Sequence, residues 1–304
     1  MTIFDAIILG LVEGITEYLP VSSTGHLIIA AELLNLRSDN VNAFLIVIQG
    51  GAILAVLGLY RHRVAQMIRG LLGRDAIGLR LFLNILIAFV PAAMIGVFID
   101  DWIDEHLFSF WPVVSALFLG GVLMIAIGPW QRRFFQEHSA DDKTDSHRGP
   151  QTRRMALADP GLVDLEHLTW RRALLIGVLQ CLAMWPGTSR SMVTIVGGML
   201  VGMRPKHAAE FSFLLGLPTL GGACVWKLLK SYKGGQLDML TDLGLVPCLV
   251  GIAVATVAAA LAVHWLVSFL NRHGLSLFGW YRIVFAAALA GLVLMRIVNI
   301  GSAI

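Results

Sequence analysis

The chain has 304 residues, 57% of them hydrophobic and 14% charged, with a mean hydropathy of +0.76. A soluble domain carries about 25% charged residues, so this composition excludes an ordinary soluble domain and indicates a protein that crosses a bilayer several times. A net charge of +3 gives no support for a nucleic-acid partner. Cys181, Cys224 and Cys248 are far apart, match no metal spacing and read as small buried hydrophobes. The N-terminus shows neither a basic n-region nor a small-residue cleavage site after its apolar run, so no removable signal peptide is expected.

Residues 3–18 are apolar with helical spacing, Pro20 ends them, and residues 24–36 form a second apolar piece. At 1.5 Å per residue these reach roughly 24 Å and 20 Å, against a hydrocarbon core about 30 Å thick. The expected solution is a re-entrant hairpin that turns at Pro20–Gly25 near the midplane and leaves on the side it entered. Three full-length apolar segments follow at about 42–60, 81–99 and 111–129, with a basic loop at 61–80 and an acidic one at 100–105. Residues 131–172 are polar, lack an apolar period and read as a partly disordered loop.

From Ala173 the pattern restarts: apolar residues 173–185, a break at Pro186, polar residues 187–191, apolar residues 192–203, then spans at about 208–226, 247–269 and 278–297. A shift of 167 takes Gly10 to Gly177, Glu13 to Gln180 and Phe44 to Phe211. One residue is lost near the break, which sets Pro20 against Pro186 and Ser23 against Ser189. The expected architecture is an all-α integral membrane domain spanning 1–304. It has two inverted-topology repeats (1–130 and 173–304, joined by the polar loop 131–172), with six transmembrane helices and two re-entrant hairpins. Three spans per half require the inversion, and inverted repeats with broken helices place their site at the midplane. Outside the apolar segments, Lys and Arg number sixteen on the side of 61–80 and five on the other, and without the long loop the excess keeps its sign. The positive-inside rule then puts 61–80 in the cytoplasm and both termini outside.

Polar residues cluster at the two breaks. Glu13 and Glu17, four apart, share a helix face, where such a like-charge pair needs a divalent cation, an Arg or a shared proton; snorkelling to solvent is the plain alternative. Ser22, Ser23 and Thr24 open the second half-helix. Capping explains one of them, and a free helix N-terminus also suits phosphate. Thr188, Ser189, Arg190 and Ser191 open the matching half-helix, with Thr194 one turn on. Two such N-termini and one Arg suit two linked phosphates, although Arg190 could simply pair with Glu13 or Glu17. His26 lies one turn from the hydroxyls and could act as acid, base or nucleophile. Arg282 sits near enough to a helix end to snorkel and is left out of the site.

The residues Glu13-x-x-x-Glu17, then Leu19-Pro20-Val21-Ser22-Ser23-Thr24-Gly25-His26, then Pro186-Gly187-Thr188-Ser189-Arg190-Ser191-x-x-Thr194 resemble the undecaprenyl-diphosphate phosphatase family of the bacitracin-resistance type. Both motifs are complete, and the resemblance covers nearly the whole chain except 131–172. It implies a multi-pass enzyme of the bacterial inner membrane that hydrolyses undecaprenyl diphosphate to undecaprenyl phosphate and inorganic phosphate. Its site would open to the outer, periplasmic face, recycling the lipid carrier for peptidoglycan and giving bacitracin tolerance. It also implies a divalent cation, Mg²⁺ or Ca²⁺, on Glu13 and Glu17. The catalytic set is then Glu13, Glu17, Ser23 and His26, with Ser23 favoured over His26 or water as nucleophile. Ser22, Thr24, Ser189, Arg190, Ser191 and Thr194 bind the diphosphate. The rival reading is a lipid transporter or flippase on the same architecture. Because Gln180 and Met184 replace the two glutamates in the second half, the carboxylates occur once, which favours an enzyme. A phosphatase for shorter prenyl diphosphates is a third reading. Neither the oligomeric state nor the preferred cation is legible.

Overall fold

The computed structural model describes residues 1–36, 39–107, 109–144, 163–233 and 243–295. Within them the chain is helical, with one isolated bridge between Val163 and Met203. Helix α1 (Ile3–Thr16) opens with a capping box in which Thr2 and Asp5 satisfy each other's backbone amides, and it stops short of Pro20. Helix α2 (Ser23–Leu33) follows the break and ends at Asn35, which takes a left-handed φ of 54°. With 14 and 11 residues, the two helices are about 21 Å and 17 Å long. Neither spans a bilayer alone, as a hairpin requires.

The rest of the first half is α3 (Asp39–Leu59), α4 (Arg61–Leu71), α5 (Ala76–His106) and α6 (Phe110–Thr144). The second half is α7 (Trp170–Gln180), α8 (Arg190–Leu200), α9 (Pro205–Lys233), α10 (Leu245–His273) and α11 (Ser276–Leu294). Helices α5, α6, α9, α10 and α11 contain stretches long and apolar enough to cross a membrane, and α3 with α4 makes a sixth candidate bent by 79°.

Two expectations need correction. Residues 61–80 are not a loop: α4 is an amphipathic helix whose Met67 and Gly70 are buried while Arg61 and Arg69 lie outward, and α5 already begins at Ala76. Arg61 and Arg69 mark an exposed helix face, which composition alone does not separate from a basic loop. Residues 131–144 continue α6 as helix, so the polar segment is shorter than 131–172. Residues 145–162 lie outside the described residues. Residues 163–168 return to the body: Asn84 donates to Leu168 O (2.7 Å), and Arg63 donates to Glu166 (3.2 Å) and Glu210 (2.9 Å).

The halves contact each other reciprocally. A shift of 167 carries Ser23–Leu33 onto Arg190–Leu200 and the end of α5 onto the end of α10. Helix α1 packs on α10 and α7 packs on α5, while α3 meets α9 and α6 meets α11. Close approaches at glycine occur in both crossings: a Cβ on Gly14 of α1 would lie 2.5 Å from Ala255 O of α10, and one on Gly177 of α7 would lie 2.4 Å from Ala88 O of α5. Small residues that let backbones approach are the usual means of packing helices in lipid, where burial of apolar surface drives little.

The same shift corrects the register at the breaks. Ser22 (φ 73°, ψ 100°) and Ser189 (φ 74°, ψ 112°) precede α2 and α8 with nearly identical left-handed backbone. Ser189 therefore answers to Ser22, and Arg190 answers to Ser23. The residue lost at the prolines is recovered within the turn itself. Left-handed backbone is strained for a residue with a Cβ, and such strain concentrates at functional sites.

Candidate active site

The two breaks meet. Ser191 Oγ, at the start of α8, donates to Leu19 O (3.0 Å) in the first break. Arg282 of α11 stitches both together. It is 0% exposed, and its guanidinium donates to Pro20 O, Gly187 O and Thr188 O, and to Ala116 O and Leu117 O on α6. The expectation that Arg282 snorkels is wrong. Unwound turns leave carbonyls without helical partners, and one buried cation with five donors satisfies several at once. The signal was available: an Arg within an apolar span is functional or structural by default. Its partners were not, because they come from three separate stretches of chain.

Beneath this clamp lies an ion pair. Arg190 Nη2 stands 3.1 Å from Glu17 Oε1, with both side chains nearly buried, and Nη1 donates to Ser212 O (2.9 Å). The guanidinium also lies over the Tyr18 ring, 5.5 Å from its centroid. Arg190 Nε is buried and has no partner among the described residues. Two of the five N–H groups of Arg190 are used, by Glu17 and Ser212 O, so the donors of this guanidinium are not exhausted.

Ser23 Oγ donates to Glu17 Oε2 at 2.7 Å. Glu17 is therefore held by Arg190 on one oxygen and accepts the Ser23 hydroxyl on the other. Glu13, one turn back and 2% exposed, has no hydrogen bond or ion pair among the described residues, and it feels the charges of both Glu17 and Arg190. No group of three or more His, Cys, Asp or Glu suited to a metal occurs among the described residues. Two carboxylates do fit a hard cation, but only one whose remaining oxygen ligands come from water and substrate phosphate, the usual arrangement for Mg²⁺.

His26 is held apart from this group. Its Nδ1 lies 2.7 Å from Ser22 O, a carbonyl that can only accept, so Nδ1 carries the proton. Its Nε2 then accepts from the Tyr281 hydroxyl at 2.6 Å, and the ring stacks on Phe285 with centroids 4.1 Å apart. Neither ring nitrogen bonds Ser23. Tyr281, like Arg282, was missed by reading the sequence.

The other expected residues divide into two groups. Ser23, Thr24, Ser189 and Arg190 are partly accessible at the two half-helix starts. Ser22 occupies the cap position of α2, yet its side chain makes no capping bond; only its carbonyl is used, by His26. No side chain caps α2, so the expectation that capping accounts for one of Ser22, Ser23 and Thr24 is not met. Ser189 does cap α8, accepting from Met192 N at 3.3 Å. Ser191 and Thr194 are fully buried and do not open to a ligand. Thr194 donates to Arg190 O (2.8 Å) and meets Ser212 Oγ at 2.6 Å, which makes it a support behind Arg190.

The family model described as "Bacitracin resistance protein BacA" matches residues 6–288. Among curated proteins, an undecaprenyl-diphosphatase of Sorangium cellulosum is 43% identical over 284 residues, covering 93% of this chain and 84% of the relative. One from Acinetobacter baumannii is 42% identical, covering 93% and 92%, and one from Cupriavidus metallidurans is 40% identical, covering 92% of each. With a family match over nearly its whole length and relatives of this identity, the chain belongs to the bacitracin resistance protein BacA family.

Proposed function

We propose that the chain is an undecaprenyl-diphosphatase, hydrolysing undecaprenyl diphosphate to undecaprenyl phosphate and inorganic phosphate, and that the meeting of the two breaks is its site. The observation that carries the residue assignment is the sequence of contacts Ser23 to Glu17 to Arg190, which joins residues of both halves. A hydroxyl, a base within hydrogen-bond reach and a third group orienting the base form the arrangement of an activated nucleophile.

In this reading Arg190 and the uncapped amides of α2 hold the diphosphate, with Ser189 and Thr24 at its edge. Phosphoryl transfer needs positioning and charge neutralisation above all. Ser23 Oγ attacks the terminal phosphorus and passes its proton to Glu17 Oε2. The bridging P–O bond breaks, and undecaprenyl phosphate leaves. Water then attacks the phosphoserine, the P–Oγ bond breaks, Glu17 returns its proton to Ser23 Oγ, and the water's oxygen and protons leave with the inorganic phosphate. Glu13 and Glu17 are the residues that would hold a divalent cation, Mg²⁺ or Ca²⁺, which would neutralise phosphate charge. His26, fixed by Ser22 O and Tyr281 one turn along α2, takes no part in the attack and borders the site.

In the same reading the membrane is the bacterial inner membrane and the site opens to its outer face. The charge asymmetry of the sequence supports that sidedness. Single cysteines placed in 61–71 and 100–106, in a chain without Cys181, Cys224 and Cys248, are expected to react with impermeant reagent only at 100–106; the reverse would invert the assignment.

Detergent-solubilised protein, given undecaprenyl diphosphate and Mg²⁺, should release phosphate. A flippase would leave the diphosphate intact. Single-turnover trapping with terminally labelled substrate should place the label on Ser23 and lose it in Ser23→Ala. Label on His26, or hydrolysis that persists in Ser23→Ala without a trapped intermediate, would overturn the nucleophile.

A further inference from the structure

Helix α4 leaves α3 at an angle of 79°. With α3 crossing the bilayer, α4 runs close to the membrane plane, at the boundary with water. A glycine crossing fixes it there: a Cβ on Gly70 would collide with Leu79 N of α5, and one on Gly78 of α5 would collide with Gln66 O. Arg63, Met67 and Gly70 follow one another at helical spacing and form the inward stripe. Met67 is buried, and Arg63 is taken up by Glu210 and Glu166. The opposite side of α4 carries both charge and apolar bulk. We propose that this outward face, continued into the turn before α5, binds the headgroups of anionic phospholipids. The surface uses none of the residues at the two breaks and does not depend on the reaction.

Three observations commit the occupant. First, charge: Arg61, Arg69 and Arg74 are exposed and have no carboxylate partner among the described residues. Asp75, the acidic residue next to them in sequence, is engaged in capping α5, where it accepts from Gly78 N at 2.8 Å. Second, apolar bulk: Ile68, Leu71 and Leu72 are 53%, 54% and 65% exposed among these arginines. A free anion or an acidic soluble partner would answer the charges and leave the aliphatic side chains in water. A lipid surface answers both, with anionic headgroups above and an apolar boundary below. Third, level: residues 163–168, bonded to Arg63 and Asn84, lead directly into α7. The first residue of α7, Trp170, is mostly exposed, with the Arg171 guanidinium 5.4 Å over its ring. An exposed Trp at the end of an apolar helix marks the headgroup level.

The division of labour on this face follows from its geometry. Ile68 and Leu72 lie on one stripe with Arg61, so the aliphatic groups enter the acyl boundary while the longer arginine side chains reach back to the phosphates. Near an anionic membrane surface each basic side chain is worth about a fivefold preference. Three uncommitted arginines therefore give on the order of 100-fold at low salt, and screening reduces this as ionic strength rises.

Two experiments on the full chain test this. In mixed micelles holding equal phosphatidylglycerol and phosphatidylcholine, mass spectrometry of the retained lipid should show a preference for phosphatidylglycerol that shrinks as salt is raised. Combining Arg61→Gln, Arg69→Gln and Arg74→Gln should cut that preference by about tenfold or more; an unchanged preference would overturn the proposal. The second experiment keeps the arginines and reads position. Spin labels on Ile68→Cys and Leu72→Cys, in a chain without Cys181, Cys224 and Cys248, should in phosphatidylglycerol vesicles be relaxed by oxygen and shielded from a water-soluble nickel complex. Free access of the nickel complex would put the face in water, and shielding from both relaxants would mean that protein covers it. Either result would overturn the proposal.

Discussion

Two arginines with different partners organise the site. Arg190 bonds one carboxylate and one carbonyl and leaves its Nε–H without a partner among the described residues, whereas Arg282 spends its guanidinium on main-chain carbonyls. Room for Arg190 depends on Gly216, where a Cβ would stand 2.8 Å from Nη1. The atom met is a side-chain tip and not backbone, so Gly216→Ala should displace the guanidinium from Glu17 and Ser212 O and raise KM, with a smaller loss of thermal stability in detergent than Gly14→Ala; an unaltered KM would separate Arg190 from substrate binding. Tyr281 invites a finer test. Its hydroxyl is the partner of His26 Nε2, while Phe285 and Ser22 O hold the ring independently. A neutral hydrogen bond contributes about 1 kcal/mol net, so Tyr281→Phe should lower kcat by about five- to tenfold with KM little changed, read from initial rates. A loss as large as that of His26→Ala would mean that Tyr281 does more than support the ring. The glutamates, the hydroxyl run, His26 and Arg190 were legible because charged and polar residues inside apolar segments are conspicuous. The supporting roles of Ser191 and Thr194 were not, because a hydroxyl that faces substrate and one that faces a carbonyl look the same in sequence.

At the scale of elements, the breaks are fixed by composition and held by tertiary contacts. The first half-helices stop short of Pro20 and Pro186, and Ser22 and Ser189 start the second ones from the same left-handed backbone. Arg282 bonds both turns and α6, so it binds elements that no local propensity would hold together. Arg282→Met should strand several buried carbonyls and cost on the order of 3 kcal/mol or more, visible as a lower unfolding temperature in detergent together with lost activity. Lysine cannot reproduce the planar fork, so Arg282→Lys should recover little; full recovery would reduce the residue to a point charge. Gly14→Ala offers a contrast with Gly216→Ala. Its Cβ would meet the Ala255 backbone at 2.5 Å, which has no flexible end to move, so stability should fall with the α1–α10 crossing. Helix breaks and spans were legible from proline, polar clusters and apolar run length. Helix α4 and the extension of α6 to Thr144 were not, because a charged helix face and a polar loop share a composition.

Across the whole molecule, two similar halves supply unlike chemistry. The first brings Glu13, Glu17, Ser23 and His26; the second has Gln180 in place of Glu13 and contributes Arg190. Gln180 is buried with its Nε2 unpartnered among the described residues, and Thr219 donates to its Oε1 at 3.3 Å. The packing of α1 on α10 answers to that of α7 on α5, while the residues at the two breaks differ. The central claim is that residues from both halves form a single hydrolytic unit. Phosphate release from undecaprenyl diphosphate by wild type, Glu17→Gln, Arg190→Gln and the double variant tests it most directly. Each single change should lower kcat/KM by about 100-fold or more, and the double variant should be no worse than the poorer single, because groups that act as a unit are not additive. Release that survives either single change, or losses that multiply in the double, would contradict the account.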